Sequence, residues 1–162
     1  MQAIVVYDTQ YGNTEQVARA IAEGLADLGT VDVLAAAEAM GRPQVPPDLL
    51  LIGGPTQRHG MSPALRAYVE ALPRDGLRNT RVATFDTRYR MAPLLSGSAA
   101  KDAAGRLRRS GCRIVAAPES FFIERDRPAD GEKRSHGSEQ LEPGELERAT
   151  AWGRRLATLP GG

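Results

Sequence analysis

Six consecutive residues, Thr9-Gln10-Tyr11-Gly12-Asn13-Thr14, carry the most specific chemistry in this sequence. A short apolar run precedes them and a helical pattern follows. Hydroxyls stand at both ends, a glycine stands in the bend, and a helix N-terminus lies behind. Such a loop can converge backbone N–H groups on an anion, and the helix dipole favours the negative charge. It contains no lysine, so it is not a Walker-type loop, which needs Gly-Lys followed by Ser or Thr. Nor is it the Gly-x-Gly-x-x-Gly turn of dinucleotide-binding domains. The chemistry it suits is a phosphate monoester held without an essential metal. The plainer alternative is an ordinary strand–helix connection capped by Thr14.

Other reactive side chains are sparse. The single cysteine, Cys112, excludes an internal disulfide framework and a cysteine-only metal site. At the start of an apolar run it reads as a small buried hydrophobe. His59 lies on a loop, where it either donates to a ligand or is simply solvated, and His136 sits in a charged stretch as an inert residue. Asp8 ends the first apolar run, where phosphorylated receiver domains keep an acidic pair. Val6-Tyr7 and Glu124-Arg125 supply neither the second acid nor the lysine that such domains need.

The elements that must position these residues alternate along the chain. Continuous apolar runs at 3–7, 49–52, 81–85 and 113–117, the last resuming at 120–123, read as strands buried on both faces. A weaker strand at 30–34 suits an edge. Helical patterns fill the gaps. The first, at 14–28, aligns Val17, Ala18, Ile21, Leu25 and Leu28 and ends at Gly29. Ser62-Pro63 opens a second that runs to about 72, and Ser96 or Ser98 opens a third that ends at Ser110-Gly111. The last, at 145–159, is built around Leu146, Ala149, Trp152 and Leu156. Residues 35–47 form a long connection without periodicity. Residues 124–142 are dense in charge and read as a solvated loop or insertion. The expected fold is α/β: one domain over 1–162, a doubly wound five-stranded parallel sheet with helices on both faces.

Composition narrows the function. The chain has 162 residues, 41% hydrophobic and 25% charged, enough for one soluble domain with a real core. Its net charge of +1 offers no nucleic-acid footprint, although nearly every basic residue except Lys101 and Lys133 is arginine. Nothing approaches the ~20 apolar residues of a membrane span. The N-terminus lacks the basic start of a secretory signal, so a cytoplasmic location is expected.

The run Val5-Val6-Tyr7-Asp8-Thr9-Gln10-Tyr11-Gly12-Asn13-Thr14, continuing to Ala18 and Ile21, resembles the flavodoxin signature at every specified position. In that family this loop wraps the phosphate of FMN. Leu51-Ile52-Gly53-Gly54-Pro55-Thr56, followed by Gly60, is similar to the segment that passes under the isoalloxazine ring. Phe85-Asp86-Thr87-Arg88 falls where the family's second ring-contacting loop lies. The resemblance covers about residues 3–159. It implies the strand order 2-1-3-4-5 and a pocket at the switch between the first and third strands. It also implies FMN as cofactor, with Thr9, Gln10, Tyr11, Gly12, Asn13 and Thr14 on its phosphate. Pro55, Thr56, Gln57, Arg58, His59 and Gly60 would then line the ring, together with Phe85, Asp86, Thr87, Arg88 and Tyr89.

The departures from the family matter too. Flavodoxins sandwich the ring between aromatic side chains, whereas here Tyr89 alone is placed to stack, with Arg88 or Met91 as other covers. Trp152 belongs to the core face of the last helix. Arg58, Arg88 and Arg90 fall at the expected pocket mouth, where positive charge would favour the anionic hydroquinone and raise the potential. The same arginines could instead meet an anionic partner, or merely reflect a GC-rich genome. The implied function is that of an FMN-binding redox protein. It would be an electron carrier or a small flavin-dependent oxidoreductase, like flavodoxin-fold quinone reductases or bacterial protoporphyrinogen oxidase. The counterpart would be a redox protein or a small-molecule acceptor such as a quinone. The alternative is a non-catalytic binding or regulatory module in which flavin binding is weak or lost.

Overall fold

Val5 and Val6 are neighbours on one strand, point to opposite faces of the sheet, and are both fully buried. Leu49, Leu50, Leu51 and Ile52 repeat the pattern. A sheet with such strands must be covered on both sides, which is what the computed structural model shows. It describes residues 1–42, 45–57, 60–73, 77–78, 80–91, 97–125 and 139–159.

The strands are β1 (Gln2–Tyr7), β2 (Thr30–Ala35), β3 (Leu49–Pro55), β4 (Arg81–Tyr89), β5 (Arg113–Ile114), β6 (Glu119–Arg125) and β7 (Glu139–Leu141). They lie in the order β2-β1-β3-β4-β6-β7, with β5 also against β4. All pairings are parallel except β6 with β7. The expected order therefore holds, but seven strands replace the expected five. The fifth run is divided: β5 pairs with Arg81 and Val82, and β6 resumes against the stretch from Phe85 to Tyr89. Pro118 lies in the break; it has no N–H for a ladder and restricts the residue before it.

The charged stretch 124–142 also needs correction. Its first residues, Glu124 and Arg125, belong to β6, and Glu139–Leu141 returns antiparallel along that strand. A strand at a sheet edge carries charge readily, because one flank stays in water. Residues 126–138, with Lys133 and His136, lie outside the described residues.

Helices α1 (Asn13–Leu25) and α5 (Glu145–Thr158) cover one face. Helices α2 (Ala36–Met40), α3 (Pro63–Ala71) and α4 (Ala99–Arg109) cover the other. A short 3-10 turn, Ala26–Leu28, ends the first connection at Gly29, whose φ of 131° is left-handed. The helix α2 lies in a connection expected to be patternless; five residues are too few to display a period. Ser62 caps α3 by accepting from the Leu65 amide at 3.3 Å, and Ser98 caps α4 by accepting from Lys101 at 3.1 Å. Ser96 lies outside the described residues.

On the α1–α5 face, Phe85, Phe121 and Trp152 pack edge-to-face, with centroids 6.4, 6.3 and 6.1 Å apart. The two helices meet at Gly24 and Gly153. A Cβ on Gly24 would collide with the Thr150 carbonyl oxygen, and one on Gly153 with that of Ile21. Leu146, expected in this core, is 38% exposed and faces the cleft between the first turn of α5 and β7. Arg148 ties α5 to β6. It lies 4.5 Å from the Phe121 ring centroid and bonds Glu119, Glu145 and the Ser120 carbonyl.

Candidate functional site

Because β1 feeds β2 on one side while β3 feeds β4 on the other, the loops leaving β1 and β3 part at their carboxyl ends. A crevice at that point is where doubly wound sheets take ligands. Here it holds a cavity of about 200 Å3. Thr9, Gln10, Tyr11, Asn13 and Thr14 line it from the β1–α1 loop. Pro55, Thr56 and Gln57 follow β3, and Thr87, Arg88 and Tyr89 end β4.

The β1–α1 loop is organised from within. Gly12, at φ 87°, is the residue before α1, and its N–H donates to Thr9 Oγ1 at 2.9 Å. A Cβ there would meet nothing within 4 Å, so the glycine answers to the left-handed backbone and not to space. The amides of Asn13, Thr14 and Glu15 form the first helical turn, whose N–H groups have no acceptor of their own in a helix. Thr14 is 1% exposed, with its hydroxyl 2.7 Å from that of Thr87. That contact fastens the loop to the end of β4. The donor set of helix amides and hydroxyls, with Gly12 open above it, fits a phosphate monoester.

The β3 loop is equally constrained. A Cβ on Gly53 would collide with the Phe85 ring, and one on Gly54 would come within 2.7 Å of Leu65 Cδ2. Thr56 donates to Asp86 Oδ2 at 3.0 Å and accepts from the Ala99 amide at 2.9 Å. Gln57 and Gly60 exchange two backbone bonds of 2.9 Å, closing a tight turn. Gln57 Nε2 also donates to Gln10 at 3.1 Å, linking this loop to the first.

Not every expected residue lines the cavity. Phe85 is fully buried in the aromatic core. Asp86, also fully buried, faces α4 from the opposite side of β4. They lie before the exposed end of the strand, where alternation sends each side chain into a packed layer. Asp86 Oδ2 accepts from Ser98 Oγ at 2.5 Å, Thr56 and the Ala100 amide at 3.1 Å. Its Oδ1 has no hydrogen bond among the described residues and lies 3.8 Å from Arg88 Nε. Gly12 and Gly60 shape the loops without lining the cavity. Arg58 and His59 lie outside the described residues.

The expected positive mouth is corrected for two of its three arginines. Arg88 donates to Ser120 Oγ at 3.0 Å and to the Gly97 carbonyl at 3.3 Å, and faces Asp86. Arg90 pairs with Glu142 at 2.8 Å and stacks 3.9 Å from the Phe122 ring centroid. Arg90 is compensated by Glu142, which reading along the chain does not bring near, whereas Arg88 faces Asp86 only two residues before it.

Sequence reasoning missed Ile123 and Glu139, which complete the lining. Glu139 accepts from Asn13 Nδ2 through its backbone carbonyl at 3.0 Å, and from the Tyr89 hydroxyl through its carboxylate. Charge density was the only local signal at this position, and it pointed to solvent.

A second cavity, about 250 Å3, lies on the α2–α3 face among Ile4, Leu34, Leu50, Tyr68 and Leu72. Burial there pushes the Tyr68 phenol up to about 12. It is away from all three loops, and its lining offers no phosphate cradle. No group of three or more His, Cys, Asp or Glu among the described residues could hold a metal ion.

The sequence profile of flavodoxins matches residues 5–152. No curated protein matches the chain. Among solved structures, a flavodoxin from the domain Archaea is 20% identical with a TM-score of 0.68, covering 97% of this chain and 96% of its own. Flavodoxin 1 from Bacillus cereus is 17% identical with a TM-score of 0.72, covering 99% and 100%. The flavodiiron protein of Giardia intestinalis, 19% identical with a TM-score of 0.72, is matched over 96% of this chain but only 35% of its own.

Proposed function

The chain belongs to the flavodoxin family, and from that premise we propose that it is an FMN-binding redox protein whose cofactor site is the crevice between β1 and β3. The observation that carries the reading is the β1–α1 loop. Its residues Thr9, Gln10, Tyr11, Asn13 and Thr14 line the cavity at the N-terminus of α1, beside the loops that end β3 and β4. Bound there, the flavin supplies the electron chemistry, and the protein supplies binding, orientation and electrostatics. The loop 9–14 holds the phosphate. Pro55, Thr56 and Gln57 form one wall of the ring site, and Thr87, Arg88 and Tyr89 the other.

Among the described residues of the lining no side chain is arranged as an obligatory acid–base catalyst, which supports electron transfer to a redox protein or to a small acceptor such as a quinone. The deciding experiment is the visible absorption spectrum of the purified protein before and after FMN is added in excess. A flavin spectrum that survives desalting, with FMN released on denaturation, supports the reading. A protein that stays colourless, and shows no flavin-fluorescence quenching in a titration, makes the chain a non-catalytic module on this fold.

A further inference from the structure

Tyr68 is 4% exposed, and no hydrogen bond reaches its hydroxyl among the described residues. A buried phenol ordinarily has a partner. Burial pushes this one up to about 12, so it keeps its proton throughout the physiological range. Its side chain projects from α3 and lines the cavity of about 250 Å3 on the α2–α3 face. The sheet contributes Ile4, Leu34 and Leu50 to that cavity, and the layer above it contributes Ala39, Leu72 and Leu77. A further wall, Val45-Pro46-Pro47, is fixed by the chain itself. The Pro47 carbonyl accepts from Thr80 Oγ1 at 2.9 Å, and the neighbouring Asp48 carboxylate accepts from the Gln2 amide at 2.8 Å. Proline also locks its own φ. Among the described residues of the lining Arg42 is the one base, and it pairs with Glu38 at 2.5 Å. Asp32 is the one acid. An anionic ligand therefore gains little here, and any charge placed among the apolar side chains is costly.

We propose that this cavity binds a neutral aromatic molecule of one or two rings that bears a hydroxyl group. A protein cavity of roughly 150 Å3 lined by Leu, Ile and Phe takes up benzene. One of about 250 Å3 therefore admits two fused rings. The apolar body lies against Ile4, Leu34 and Leu50, and the ligand's hydroxyl meets that of Tyr68, which can both donate and accept. Water serves such a hydroxyl poorly where most other walls are apolar, because a held water needs about two to four polar partners. Entry is beside Val45, which is 65% exposed. The site shares no lining residue with the crevice between β1 and β3, so it does not depend on the FMN reading.

The test is a titration of the full chain with 2-naphthol, and with naphthalene as the analogue that lacks the hydroxyl, followed by NMR of the methyl groups. Saturable binding is expected, with nuclear Overhauser contacts from the naphthol ring to the methyls of Ile4, Leu34 and Leu50. Naphthol should bind about tenfold more tightly than naphthalene, the effect of one hydrogen bond made to a hydroxyl otherwise without a partner. Tyr68→Phe keeps the ring and should bring the two compounds to equal affinity. It should also melt no lower than the wild type, because it loses no bond within the protein. Absence of saturation, or contacts to other methyls, would overturn the site. Equal affinities in the wild type, or a naphthol preference that survives in Tyr68→Phe, would overturn the pairing of the two hydroxyls and with it the proposed ligand class. A clear fall in the melting temperature of the variant would do the same, since the hydroxyl would then already have a protein partner.

Discussion

The contact between Thr14 and Thr87 separates a structural role from the proposed phosphate-binding role of the β1–α1 loop. The two hydroxyls are 2.7 Å apart, with the residues 1% and 3% exposed. Thr14→Val keeps the shape and leaves Thr87 Oγ1 without this partner. A buried polar atom so stranded costs about 1–3 kcal/mol. Thr87→Val strands Thr14 in the same way. Replacing both removes the pair together, which is close to neutral. Urea denaturation should therefore show each single variant destabilised by about 1–3 kcal/mol and the double variant nearly restored, a coupling close to the sum of the two single losses. FMN binding should behave differently. If Thr14 also holds the phosphate, its loss weakens binding in the single variant and equally in the double variant, although stability has returned. Titration by flavin fluorescence reads this directly. Additive destabilisation would refute the buried pair. Affinity that recovers along with stability would refute the phosphate role of Thr14.

Further outcomes follow from the packing and charges described above. Gly24→Ala should lose about 1–3 kcal/mol to overpacking against the Thr150 carbonyl. Gly105→Ala, whose Cβ would meet only Arg109 Nη1 at 3.6 Å, should gain about 0.5–1 kcal/mol in helix propensity, and thermal melts of both check the contrast. Glu145 is drawn below the usual carboxylate range: burial opposes its charge, but bonds from Arg148 and the Phe122 amide outweigh that cost. Its contribution is thus present above about pH 4.3, its unfolded value, and is lost as pH falls through the folded one. Glu145→Gln should flatten the acid limb of a stability–pH profile, and an unchanged limb would contradict the pairing. Burial pushes the Cys112 thiol up, so at pH 8 a disulfide reagent should label it far more slowly in the native protein than in urea.

Much of this arrangement could be read along the chain, because its causes are local. The β1–α1 loop is six contiguous residues, and its turn needs only a glycine at φ 87° and a helix behind it. Ser62 and Ser98 cap helices through amides three residues away. The central strands announce themselves because burial on both faces demands unbroken apolar runs. The tertiary structure decided what depends on distant partners. Thr14 meets Thr87 across 73 residues, Arg90 meets Glu142 across 52, and Asn13 meets Glu139 across 126. Those pairings neutralise an arginine that the sequence placed at the mouth and turn a charged stretch into a wall of the site. Phe85 and Asp86 lie within β4, four and three residues before its end, and strand alternation turns them into packed layers and not into the crevice. Pattern along a chain records which side chains avoid water; which charges meet is set only when the sheet has been assembled.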